Sequence, residues 1–376
     1  MKRIVNKIVL WMVALTVSAF QLTSCTGVEP DVVPGGDEGV EDPGVEMVDV
    51  SFYVGSESGA STKVYNPSAA NESKINRWAL LLVKSGESTV YKSYTSSSSA
   101  GISVTVPVGT YTAYAVVNYP TSGTGAFTPQ DGMAVSDVTG HVSYVYNNSP
   151  TNLVMFGSKS ISLVKGTNST QSIPVVRLVA KLGIKKITFN LDGISFTDYP
   201  EIKSIYVTNT YLNSTFGSDY SVEQMANMAN WHNRMGHETN SVIDALMYCS
   251  LNLYTEGYES ESGDGYDPIN INQYFYCYQN RVLRGADSTS STWCKRCTRM
   301  VIEVDIDGTS YYYPITIASN SKGVLRNNTY IAENVIISNY GFLDPEGESP
   351  YSPNVEVIWS TDLQGWDGPV TVNETS

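Results

Sequence analysis

The sequence predicts an all-β protein made of two domains. Its 376 residues suffice for two domains of ordinary size. Tyr is abundant (26 residues), Gly, Ser, Thr and Val are plentiful, and runs with helical periodicity are scarce. Short apolar runs with strand periodicity, bounded by turn residues, follow one another along the chain. The clearest structural landmark is Ser172–Leu191, SIPVVRLVAKLGIKKITFNL. It is rich in Val and Ile, which favour strand. It is too long for one strand of about five or six residues. Two strands joined without a flexible linker fit it, one closing a first domain and one opening a second. Basic residues interrupt the apolar pattern near Arg177–Lys181, so the break is expected there.

The chain begins with Lys2, Arg3 and Lys7, followed by an apolar segment from Ile8 to Phe20 and then Leu22-Thr23-Ser24-Cys25. This is the pattern of a secretory signal over residues 1–24. The apolar segment is short for a membrane span. Residues 25–45 are rich in Gly, Pro, Asp and Glu and read as a flexible tether. Two β-domains are expected after it, over residues 46–178 and 179–376. The whole chain carries a formal charge of −14. Loss of residues 1–24 leaves 20 basic residues against 37 acidic ones, a formal −17. Such acidity argues against nucleic acid as a partner, because phosphate binding needs clustered Lys and Arg.

In the first domain, Val48, Val50, Phe52 and Val54 alternate with more polar neighbours, the mark of a half-buried strand. A loop with Lys63 follows. Glu72-Ser73-Lys74-Ile75 leads into Trp78–Val83, apolar on both faces and so expected to be central. Ile102, Val104, Val106 and Val108 alternate. Pro107–Thr110 supplies a turn, and Tyr111–Asn118 is expected to return as the partner strand. Asn152–Gly157 and Ile161–Val164 read as two further short strands, and the whole makes a β-sandwich.

In the second domain, Ile202, Ile205 and Val207 lie on a strand that ends at Asn209. Ser221–Met235 carries Val222, Met225, Met228 and Ala229 at helical spacing, with Ser221 and Gln224 as a capping box. It predicts a short helical insertion. Glu256–Asp267 is an acidic loop whose usual meaning is a solvated surface rather than a calcium site. Asn272–Tyr278 is an aromatic strand. Met300–Ile306 and Thr309–Ile317 flank Asp307-Gly308 and predict a type I′ hairpin. Asn328–Ser338 and the alternating Val355, Val357 and Trp359 give later strands. Trp366, Val370 and Val372 lie in the last eleven residues.

Few residues point to chemistry. Cys249, Cys277, Cys294 and Cys297 fall in the second domain. An exported chain makes disulfides the first expectation for them, ahead of free thiols or a metal site. His232 and His237 are five apart, which is not the spacing that puts two ligands on one helical face. His141 stands alone, and all three histidines read as surface or packing residues. There is no phosphate loop, no nucleophile elbow and no visible catalytic pair. No enzyme activity, no metal and no cofactor is expected.

Several stretches together resemble the Bacteroidales fimbrillins, the subunits of type V pili. They are the Leu22–Cys25 segment, which resembles a lipobox; ESKINRWALLLV; VPVGTYTAYAVVN; LVMFGS; VVRLVAKLGI; IKSIYVTNTY; FYCYQN; YYYPITI with LRNNTYIAENVIIS; and VEVIWS. The resemblance implies two transthyretin-like β-sandwiches in tandem, cleavage before Cys25 and lipidation of its thiol. It also implies an assembly mechanism at the outer membrane and cell surface. A trypsin-like protease cuts after a basic residue beyond the first strand. That strand leaves, and the C-terminal segment of another fimbrial subunit takes its place. Here the displaced strand would carry Val48, Val50, Phe52 and Val54, and the donor strand Trp366, Val370 and Val372. Lys63 would be the cut site, where fimbrillins usually place Arg.

The physics is compatible with such an exchange. A lost strand leaves unpaired backbone groups and an apolar trough, and an incoming strand satisfies both. Burying four such side chains is worth about 6–12 kcal/mol before ordering costs. The resemblance implies that tip subunits lack a free donor segment, so a tail with Trp366, Val370 and Val372 favours a stalk or adaptor over a tip. The alternative is a lipid-anchored surface protein, or a tip adhesin, that holds glycan through exposed Tyr and Trp.

Overall fold

The computed structural model describes residues 44–55, 72–166, 169–191, 193–217, 231–232, 248–255, 267–281, 297–317, 323–344 and 355–359. Val45–Ser376 forms one compact unit. The expected helix over Ser221–Met235 lies mostly outside the described residues, as do most of the acidic loop, Cys294 and the tail from residue 360.

Among the described residues nearly all regular secondary structure is strand. In order come β1 (Met47–Val54), β2 (Trp78–Lys84), β3 (Lys92–Ser96), β4 (Ile102–Pro107) and β5 (Gly109–Val117). A five-residue helix, α1 (Val135–Thr139), precedes β6 (Val142–Tyr144). Next come β7 (Met155–Leu163), β8 (Ser169–Ile173) and β9 (Val176–Arg177). The later strands are β10 (Val179–Phe189), β11 (Glu201–Thr208), β12 (Thr210–Tyr211), β13 (Asn213–Thr215) and β14 (Trp231–His232). They continue with β15 (Tyr248–Tyr254), β16 (Ile269–Tyr278), β17 (Arg299–Ile306), β18 (Thr309–Thr316), β19 (Thr329–Ile337) and β20 (Val355–Trp359).

The sheets fall into two sets with one plan. The earlier set holds the sheets β4-β1-β8 and β3-β2-β5-β7-β9. In the later set, β16-β10-β19-β20 accompanies β15-β11-β17-β18. Strand β1 is antiparallel to β4 and parallel to β8. Strand β10 is likewise antiparallel to β16 and parallel to β19. Strand β2 lies between β3 and β5, as β11 lies between β15 and β17. The seven-strand arrangement is therefore used twice. The later copy adds β20 beside β19, and the earlier one adds β9 beside β7. A small ribbon of β6 with β13 pairs the two sets.

The apolar pattern accounts for the main elements. Trp78 to Leu82 of β2 are fully buried, since β2 has paired strands on both sides and a core on both faces. Strand β10 is buried without interruption from Val179 to Ile184. The Ser172–Leu191 stretch breaks at Leu178, as its basic interruption predicts, and holds the end of β8 as well as β9 and β10. Asp307 and Gly308 both have positive φ (52° and 78°), which is the type I′ geometry between β17 and β18.

Three expectations are corrected. Strand β5 is not the partner of β4: it pairs with β2 and β7, while β4 pairs with β1. The Pro107–Thr110 connection crosses between sheets, and the Tyr111 hydroxyl donates back to the Pro107 carbonyl at 2.8 Å, holding that corner. The two short strands expected over Asn152–Val164 are one strand, β7. Its polar residues Ser158 and Ser160 are exposed, and they do not interrupt the ladder to β5. Near the end of the expected helix, Trp231 and His232 pair antiparallel with Tyr211 and Thr210. A strand partner wins there over local helical spacing.

Candidate functional site

The first strand is where sequence and fold meet a candidate function. Phe52 is fully buried, and Val50 and Val48 are nearly so. Val54 is half-buried and packs against the same core. Alternate residues point outward: Met47, Asp49 and Tyr53 are exposed. The strand is held on both sides. Val48 to Phe52 lie opposite Val106 to Ile102 of β4, and Val50 to Val54 lie beside Ser169 to Ile173 of β8. Side chains add Thr105 Oγ1 donating to Asp49 Oδ1 at 2.6 Å and a Ser51–Ser103 hydroxyl pair at 2.8 Å. At the downstream end the Gly55 N–H donates to the Ile173 carbonyl at 3.3 Å. Beyond Gly55 the chain enters residues 56–71, which lie outside the described residues together with Lys63. Three apolar side chains sunk in the core are worth about 5–9 kcal/mol before ordering costs.

The chain re-emerges at Glu72, whose carboxylate is completely buried. Lys181 Nζ of β10 donates to its two oxygens at 2.8 and 3.1 Å. The Tyr276 hydroxyl of β16 donates to Oε1 at 2.5 Å, and Arg177 Nε donates to the Glu72 carbonyl at 3.1 Å. Lys181 Nζ also sits 4.4 Å from the centre of the Tyr274 ring. Burial, and then the adjacent Glu72 carboxylate, push the Tyr276 hydroxyl far above its ordinary pKa. Sequence reasoning missed this cluster. A single Glu before an apolar run carries no signal of its three partners, which lie more than a hundred residues away.

The remaining sequence candidates are dispersed. Cys249 and Cys277 carry free thiols, so the expected disulfides are not formed at these two residues. They sit in different sheets, Cys249 half-buried on β15 and Cys277 fully buried on β16 opposite Ala180. Burial pushes the Cys277 thiol up to about 12. Cys297 is buried next to β17, while Cys294 is not described. His141 packs between the rings of Phe127 and Phe216, each 4.9 Å away, with Nε2 3.0 Å from the Gly125 carbonyl. It is a packing residue, as expected. Beside it lies an open cleft of about 490 Å³ lined by Gly123, Ser136, Asp137, His141 and Tyr144. Tyr144 stacks on the exposed Tyr146, with centroids 5.2 Å apart and planes 13° from parallel. Among the described residues no group of His, Cys, Asp and Glu could hold a metal ion. Cys25, Trp366, Val370 and Val372 lie outside the described residues.

No family model and no curated protein matches the sequence. Solved structures do match the fold. A protein from Bacteroides eggerthii, provisionally named a cell adhesion protein, is 16% identical with a TM-score of 0.58, covering 84% of this chain and 95% of that one. A fimbrilin, FimA, from Porphyromonas gingivalis is 16% identical with a TM-score of 0.51, covering 83% and 96%. A provisional cell adhesion protein from Parabacteroides distasonis is 14% identical with a TM-score of 0.50, covering 84% and 98%. Identities this low speak for shared architecture. The structural neighbours of this duplicated all-β chain are therefore fimbrillin-like proteins of the Bacteroidales, and theirs is the fold it has.

Proposed function

We propose that this chain is a structural subunit, stalk or adaptor, of a cell-surface fimbria, with no catalytic role. In this reading it is exported as a lipoprotein through Cys25 and anchored at the outer membrane. A trypsin-like protease then cuts the segment between Gly55 and Glu72, where Lys63 is a basic residue, and β1 leaves. The tail of another subunit takes the vacated place.

The observation that carries the reading is the position of β1. It is an inner strand with a buried apolar face, and the chain runs on from it into residues 56–71, which include Lys63. Its departure would leave two unpaired ladders, one on β4 and one on β8, above a trough shaped by Val48, Val50 and Phe52. An exposed strand edge and apolar trough together demand a replacement strand. Trp366, Val370 and Val372 lie at even offsets of four and two positions, so an extended tail would show all three on one face. A neighbour's tail in the groove makes a head-to-tail contact that does not close, and such contacts build filaments. Structural neighbours that include a fimbrilin support the same role.

Incubation of the purified precursor with trypsin tests this. Removal of β1 should be followed by ladders on a gel and filaments by electron microscopy. A cleaved product that stays monomeric at high concentration would sink the proposal. One observation favours a second reading, glycan binding: the stacked Tyr144–Tyr146 pair beside the open cleft. Stacked aromatic faces at a surface suit sugar rings, and glycan binding by the uncut monomer would support that role.

A further inference from the structure

We infer that Glu72–Arg77 is a built-in stop that confines proteolytic processing to the chain before Glu72. The inference rests on the reading of β1 as a strand released by cutting. Trypsin-type specificity alone would not choose the right bond: Lys74 and Arg77 are basic residues 11 and 14 positions beyond Lys63. The Lys74 side chain is exposed, and that of Arg77 is half-buried. Cuts at either would remove the lead into β2 and the residue that ties this part of the chain to β10.

Two sets of contacts hold the backbone here. The first is the buried carboxylate of Glu72 with Lys181 and Tyr276, reinforced by Arg177 on the Glu72 carbonyl. The second is Asn118, which is fully buried and has a φ of 56°. Its Nδ2 donates to the Lys74 carbonyl at 2.8 Å, and its Oδ1 accepts from the Asn76 N–H at 2.8 Å. Its own N–H donates to the Arg77 carbonyl at 2.9 Å. One side chain and one amide thus bracket the peptide groups following both Lys74 and Arg77. Arg77 Nη1 also donates to Thr121 Oγ1 at 3.0 Å. A protease needs a stretch of backbone that opens locally, and opening here would break all these bonds together.

The same contacts separate the two equivalent strands. Strand β10 occupies the place in its own sheet that β1 occupies in the earlier one, but Lys181 and the tight Leu178 connection tie β10 in. Only β1 is left releasable.

The test is limited trypsin digestion of the full chain, with product N-termini read by intact mass. The wild type should give no product beginning at Ile75 or Trp78. Glu72→Ala should raise cutting after Lys74 at least tenfold. Asn118→Gly, which tolerates the positive φ, should open both Lys74 and Arg77. In both variants the sites in the strands, such as Lys159 and Lys186, should keep their wild-type rates. If Glu72→Ala is cut everywhere because it fails to fold, Glu72→Gln, which loses the charge that faces Lys181 but keeps one acceptor oxygen, is digested in its place, and a smaller rise confined to Lys74 is expected. Wild-type products beginning at Ile75 or Trp78, or variants as resistant as the wild type, would overturn the inference. Correct confinement of cutting without polymer would instead count against the fimbrial reading alone.

Discussion

At the scale of single residues, burial decides what each group can do. Glu72 is an acid in the interior, and it persists because two donors meet its oxygens. A buried pair of this kind does little for net stability but is costly to break from one side. Cys277 shows the opposite handling, since its thiol is simply kept neutral. In the folded chain its pKa is pushed up to about 12, whereas an unfolded thiol ionises at about 8.5. Between those values the folded state holds the proton and the unfolded state has lost it. The contribution of this thiol is therefore full below about pH 8.5 and is lost as pH rises toward 12. Denaturation curves taken at pH 8 and pH 10 should show a fall in stability that is smaller in Cys277→Ala. An unchanged slope in that variant would mean that the thiol ionises in the folded chain.

At the scale of elements, pairing partners matter more than local pattern. Strand β1 was legible as a strand from Val48, Val50, Phe52 and Val54, because period-two alternation is a property of the strand itself. Its neighbours were not legible. Adjacency in sequence favoured β4 with β5, but the corner held by Tyr111 sends β5 to the other sheet. The Asp307-Gly308 hairpin was legible in full, since turn residues and partner lie next to each other in the chain. Phe52 is the deepest side chain of β1, and truncating it tests how strongly the strand is held. Phe52→Ala should lower the stability of the uncut chain by about 3–5 kcal/mol. Urea unfolding would show this. A loss well under about 1 kcal/mol would mean that the strand contributes little to the core.

At the scale of the whole molecule, one seven-strand plan is used twice, and the copies differ in how their first strands are tied down. Strand β10 follows directly on β9 and carries Lys181, whereas β1 is joined onward through residues 56–71. Most buried apolar residues of both sheet sets belong to one continuous cluster, with Tyr206, Val301 and Tyr312 forming a small separate one. The ribbon of β6 with β13 and the Glu72 contacts add polar ties between the sets. Val45–Ser376 should therefore unfold in one cooperative thermal transition, and calorimetry with two resolved peaks would refute this.

The amino-acid sequence alone determined the strand-rich class, the apolar faces of the main strands and the break near Leu178. These follow from short-range periodicity and turn chemistry, which act over a few residues. Only the tertiary structure decided that β1 lies between β4 and β8, that Glu72 meets Lys181 and Tyr276, and that Cys249 and Cys277 remain thiols. Each of those depends on which distant segments share a sheet, and pairing energy is set by partners that no local pattern names.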